Sequence, residues 1–211
     1  MTYVRWGVLA LFLVLSVVDC VCAETGRSRF LKPLIMPLLA AYYFLSSASP
    51  SKWIVLALLS DAVGDYFLIG NDARKTVIGM LFFGLGHCAY MVEFANRIQP
   101  AGGLLLLAAR IFYIGMVLVQ PYLLRNEKKM LRTAGSIYGL FLAAMSYMAF
   151  ELAYSSGIFA AWMLWTGSLI FILSDSLISN RLWKCGKETG IMETYILAQL
   201  FIILGLLALG A

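Results

Sequence analysis

Long apolar runs alternate along this chain with short stretches of charge and turn residues. The runs cover residues 3–22, 33–48, 53–69, 77–94, 103–124, 131–154, 157–179 and 191–210. Each is continuous and does not alternate in and out, which predicts helices and excludes the strands of a membrane barrel. A helix needs roughly 20 apolar residues to cross the hydrocarbon of a bilayer. The second and third runs fall short of that and are expected to cross with little tilt. The pattern therefore predicts an all-α polytopic membrane protein, with eight transmembrane helices in one bundle. No linker, low-complexity tract or internal repeat divides it, so residues 1–211 are expected to form a single integral membrane domain.

The basic residues lie in the gaps, and they lie unequally. Arg27, Arg29, Lys32, Arg74, Lys75, Arg125, Lys128, Lys129, Arg132, Arg181, Lys184 and Lys187 all follow odd-numbered runs. The opposite face has only Arg5, Lys52 and Arg97, while Arg110 lies inside the fifth run. Such an asymmetry marks the cytosolic side, so both termini are expected outside the cytosol. Residues Val21 to Ala23 resemble a signal-peptidase site, but cleavage there would strand Arg27, Arg29 and Lys32 on the outer face. The first run is therefore expected to be a retained span. Short tails without a retrieval signal point to a bacterial inner membrane.

Composition agrees. Of 211 residues, 62% are hydrophobic and 13% charged, where a soluble domain runs nearer half and a quarter. That excludes a soluble globule, and disorder with it. The net charge of +5 is explained by topology; no basic helix or aromatic-interleaved basic patch suggests nucleic acid. Cys20, Cys22, Cys88 and Cys185 form no CxxC pair and His87 is the sole histidine, so no zinc set can be assembled and no metal or cofactor is expected. Buried, inert thiols are the simpler reading.

Polar groups inside the runs carry the candidate chemistry, because charge in hydrocarbon is costly and faces a bundle interior or a wet cavity. Asp61 and Asp65 are one turn apart and share a helix face. His87, Tyr90 and Glu93 share another, Asp175 lies in the seventh run, and Tyr195 with Gln199 in the eighth. Asp65 and Asp175 each sit about four residues from the end of a run, roughly 6 Å deep at the helical rise. Asp61, Gln199 and His87 lie progressively deeper. One pocket could thus collect two carboxylates with polar groups above them, and close carboxylates in low dielectric split into acid and base. The plainer reading is that these groups only hold helices together. Ser51 and Asp72 suit helix N-caps, Gly135 and Gly139 suit a helix contact, and Glu93 and Glu151 suit solvated positions near the interface. Lys32 is a topology signal that can also meet a lipid phosphate.

In this order the residues resemble the YhhN-like family, which includes the animal lysoplasmalogenases of the transmembrane protein 86 type. Lys32 to Pro37 (KPLIMP) resembles the family's start of helix two. Ser60 to Leu68 (SDAVGDYFL) resembles its Gly-Asp motif on helix three, and Gly79, Phe83, His87 and Tyr90 keep its helix-four spacing. Gly167 to Asp175 (GSLIFILSD) is similar to its helix-seven motif, with Ser168 where Ala is commoner. Thr194 to Gln199 (TYILAQ) looks like its helix-eight motif, with Ile196 in place of a frequent second Tyr, a departure expected to alter pocket shape. Runs one, five and six add little beyond hydrophobicity, so Arg110 is not covered.

The resemblance implies hydrolysis of the vinyl-ether bond of lysoplasmalogen (1-alkenyl-glycerophosphocholine or -ethanolamine) to a fatty aldehyde and a glycerophospho-base. It implies Asp65 and Asp175 as the catalytic pair, with Asp61, His87, Tyr90, Tyr195, Gln199 and Lys32 as pocket or supporting residues. The expected partners are a lysophospholipid and the bilayer. Vinyl-ether hydrolysis starts with protonation of an alkene carbon and needs an acid, a carboxylate and water. The alternative is a proton-coupled transporter of a small or amphiphilic solute, for which buried Asp and His are also natural. A metal-dependent lipid amidase would need more histidines than one, and an inactive scaffold is the remaining rival.

Overall fold

The computed structural model describes residues 2–22, 31–69, 72–179 and 188–210. The basic loop residues Arg27, Arg29, Arg181, Lys184 and Lys187, and Cys185, lie outside them. Eight helices are described: α1 (Thr2–Cys22), α2 (Lys32–Ser46), α3 (Lys52–Leu68), α4 (Ala73–Ala95), α5 (Leu104–Leu123), α6 (Lys129–Ser156), α7 (Phe159–Ser179) and α8 (Glu188–Ala208). Ser51 and Asp72 cap α3 and α4 as their sequence positions suggest, each accepting a backbone N–H of the first turn.

Six of the eight are long and apolar enough to cross a membrane. The exceptions are α2 and α3, with 15 and 17 residues, or about 22 and 25 Å at the helical rise. This is an integral, multi-pass helical bundle.

Neighbour order differs from chain order at one place. Helices α1, α2, α3, α4, α6, α7 and α8 touch in turn, and α8 returns to α1 to close a ring. Helix α5 stands outside it: its backbone approaches that of α6 alone among the described helices, and a side-chain hydrogen bond ties it to α7. Only Leu106 and Tyr113 of α5 are buried. Lipid solvates Leu, Ile and Val as well as protein does, so an apolar helix needs no more than one neighbour. The α7–α8 pair is the tightest contact. A Cβ at Gly167 would stand 2.8 Å from the Ala198 carbonyl oxygen, and one at Gly205 2.8 Å from that of Ala160. Both glycines are required for the backbones to approach this closely.

Polar ties fix the register of the ring. Tyr113, Ser146 and Ser168 form a hydroxyl chain with 2.8 Å links across α5, α6 and α7, and the Trp165 indole donates to Tyr113 at 3.1 Å. The Ser168 hydroxyl thus has a structural use that an alanine there would lack. At the far end of α4, Glu93 is 4% exposed, which corrects its expected solvation. Arg97 donates to it at 2.7 Å, Ser51 donates a second hydrogen bond, and Arg97 also reaches the Leu209 carbonyl at 3.4 Å. With both partners supplied, the carboxylate can be buried. Arg110 lies on the outer side of α5, bonded to Tyr147 at 2.6 Å and paired with Glu151 at 3.5 Å.

Candidate active site

Helix α3 presents Asp61 and Asp65 to the inside of the ring, both essentially without exposure. The Lys32 ammonium, from the first turn of α2, stands 3.5 Å from Asp65 Oδ1. The Tyr195 hydroxyl of α8 donates to Asp65 Oδ2 at 3.0 Å. Across the ring, Asp175 of α7 accepts a hydrogen bond from Tyr138 of α6. Asp65 therefore faces a cation and a phenol, whereas the described partner of Asp175 is a phenol alone.

Both aspartates open into one cavity of about 700 Å³, within the usual range for small-molecule sites. Lys32, Tyr138 and Tyr195 line the same polar end. The rest of the wall is mainly apolar, and much of it belongs to α5, through Ile111, Phe112, Gly115, Met116, Val119 and Leu123. Because the α5 backbone does not approach α4, the space between them becomes part of the cavity, with Met80 and Phe83 on the α4 side. The result is amphiphilic: charged and phenolic groups at one end, and a long apolar wall beside the lipid.

The remaining sequence-selected residues lie behind this surface. Gln199 donates to Asp61 Oδ2 at 2.6 Å and accepts from the Tyr90 hydroxyl at 2.9 Å. Asp61 Oδ1 has no hydrogen-bond partner. It rests against Gly86, where a Cβ would come within 2.4 Å of it. His87 is fully buried, its Nε2 3.1 Å from the Tyr138 hydroxyl. Of the eight residues selected from sequence, Asp65, Asp175, Lys32 and Tyr195 line the cavity, and Asp61, His87, Tyr90 and Gln199 form the layer beneath. Ile196 is buried and absent from the lining, so its departure from the motif acts on packing and does not reshape the wall directly.

Tyr138 is the functional candidate that sequence reasoning missed. Its only signal is its place one residue before Gly139, beside the helix face that Gly135 and Gly139 keep open. Gln120 of α5 fills that opening and donates to the Gly135 carbonyl at 3.0 Å, so the glycine pair is a helix contact as its spacing suggests. Among the described residues, no group of three or more His, Cys, Asp or Glu side chains is arranged to hold a metal ion.

Comparison with known proteins adds a family. The model of the YhhN family matches residues 28–206, leaving residues 1–27 and 207–211 uncovered. A curated relative, lysoplasmalogenase TMEM86A of Bos taurus, is 30% identical over 171 residues, covering 76% of this chain and 68% of that protein. No solved structure matches the chain.

Proposed function

The chain belongs to the YhhN family, and on that premise we propose that it hydrolyses the vinyl-ether bond of a lysoplasmalogen, with Asp175 as acid and Asp65 as base. The observation that carries the reading is the shared cavity: two carboxylates from different helices meet at the polar end of an apolar, lipid-side chamber. A single-chain lysolipid has that shape and polarity. Its alkenyl chain would lie along α5, and its ether bond would reach Asp65 and Asp175.

The chemistry closes without another reagent than water. Protonated Asp175 gives its proton to the β-carbon of the alkene, leaving an oxocarbenium ion. Water adds to the cationic carbon while Asp65 takes its proton, which gives a hemiacetal. The hemiacetal hydroxyl returns a proton to Asp175 as the C–O bond to glycerol breaks, and the departing oxygen takes the proton held by Asp65. Aldehyde and glycerophospho-base leave, and both carboxyl groups are restored. Lys32 and the Tyr195 hydroxyl suit the anionic partner by holding Asp65 as a carboxylate, and it is the negative charge of that carboxylate that would favour the cationic transition state. Each proton transfer of this kind contributes about 100- to 10,000-fold.

The test is aldehyde release by purified protein in detergent, measured on 1-alkenyl lysolipids with choline or ethanolamine heads against 1-acyl and 1-alkyl analogues. Turnover confined to the alkenyl substrates supports the reading. Absence of turnover in detergent, with solute uptake in sealed vesicles, would favour a transporter.

A further inference from the structure

Behind Asp175 the hydrogen bonds run in one direction. Tyr138 has a single hydroxyl proton, and it is donated to Asp175 Oδ2. His87 Nε2, 3.1 Å from the same hydroxyl oxygen, must then be the donor of its own contact. The opposite ring nitrogen, Nδ1, has no partner. A buried N–H without an acceptor is rarer and costlier than an unused lone pair, so the surroundings select the Nε2–H tautomer. Packing holds the ring in place: it stacks on Tyr138 with centroids 5.4 Å apart and meets Phe171 edge-on at 5.0 Å.

We propose that His87 is a positioning residue that acts through Tyr138 on Asp175, setting which carboxyl oxygen of Asp175 carries the proton that faces the cavity. With Nε2–H donating, Tyr138 donates in turn, Oδ2 serves as acceptor, and the acidic proton resides on Oδ1. With the other tautomer the chain would reverse: Tyr138 would donate to His87, and Asp175 would hold its proton on Oδ2, turned towards Tyr138. His87 does not touch the cavity and is neither donor nor acceptor to the substrate. This assignment rests on the hydrolase reading for its consequence, but the hydrogen-bond chain itself can be tested without substrate.

Two measurements test it. In kinetics, Tyr138→Phe keeps the ring stack and removes the hydroxyl; kcat is expected to fall about 10- to 100-fold, as for a misplaced catalytic group, with KM changed less than about twofold. His87→Leu should fall likewise, and His87→Gln, whose amide N–H can still donate, should stand well above His87→Leu. A His87→Gln variant as impaired as His87→Leu, or Tyr138→Phe at wild-type kcat, overturns the proposal. In spectroscopy, His87 is the only histidine of the chain, so 15N-histidine labelling gives a single imidazole. The Nε2–H tautomer is expected, its signal shifted by Asp175→Asn, and that shift should vanish in a Tyr138→Phe background. An Nδ1–H tautomer, or an Asp175→Asn shift that survives loss of the Tyr138 hydroxyl, overturns the chain. The expected imidazole pattern in a protein that releases no aldehyde would instead overturn the hydrolase reading and leave the hydrogen-bond chain supported.

Discussion

Lys32 and Asp65 form an ion pair of 3.5 Å in which the carboxylate is almost fully buried and the ammonium about a quarter exposed. The pair lies at the polar end of the cavity, and Asp175, facing the same space, has no cation among its described hydrogen-bond partners. In the proposed mechanism that asymmetry makes Asp65 the base and Asp175 the acid.

Asp→Asn at either position keeps size and hydrogen bonding but removes acid–base function. Asp65→Asn and Asp175→Asn are each expected to lower kcat about 100- to 10,000-fold, with folding unchanged by size-exclusion profile. Residues that act as a unit lose activity non-additively, so the double variant should be little worse than either single one. Asp61→Asn should be milder, because Asp61 is one layer removed, bonded to Gln199. Near wild-type turnover by folded D65N and D175N would return these carboxylates to a purely structural role.

The α5 wall predicts chain-length selectivity. Gly115 lines the cavity and has open space around its Cα, so Gly115→Trp can be accommodated by the fold while filling the chamber. KM for a long alkenyl chain should rise about tenfold, equivalent to 1.4 kcal/mol of lost binding. A short-chain analogue should be affected less. Equal effects on both lengths would place the chain elsewhere.

The clasp at the far end of α4 is expected to govern stability and not turnover. Glu93→Gln leaves Arg97 and Ser51 without a charged acceptor. A hydrogen bond to a charged group contributes about 1.5–3 kcal/mol, so thermal unfolding in detergent should occur at lower temperature. Turnover per folded molecule should stay at the wild-type value; a large loss of kcat would link the clasp to the catalytic end.

The described donor groups predict metal independence. With no cluster of three or more His, Cys, Asp or Glu side chains arranged around a metal among the described residues, exhaustive chelation should leave aldehyde release unaffected. Abolition by a chelator with recovery on adding zinc would exclude the two-carboxylate mechanism.

Orientation follows from charge. Reporter fusions at Ala211 should give active alkaline phosphatase and dark green fluorescent protein in a bacterial host, since the basic loops follow the odd-numbered helices. Bright cytosolic fluorescence would reverse the assignment.

Whatever local periodicity and solvation can dictate was legible along the chain. Eight apolar runs became eight helices with ends within a few residues of their predicted positions, because every backbone polar group in lipid must be satisfied within its own segment. The i, i+4 spacing put Asp61 and Asp65 on one face, and the expense of charge in hydrocarbon marked them, with Asp175, as inward-facing. Which helices are neighbours emerges from packing alone. Lipid offers no hydrophobic drive to choose between apolar faces, so nothing in the α5 sequence announced that it would stand outside the ring and wall a cavity. Tyr138 was illegible for a related reason. A tyrosine on a helix is common, and only the approach of α4 and α7 to α6 places its hydroxyl between His87 and Asp175. The burial of Glu93 is not legible in the sequence because it depends on Arg97, just past the end of α4, and on Ser51 from a different helix cap. Long-range pairing of polar groups is a property of packing, and it leaves no period in the chain.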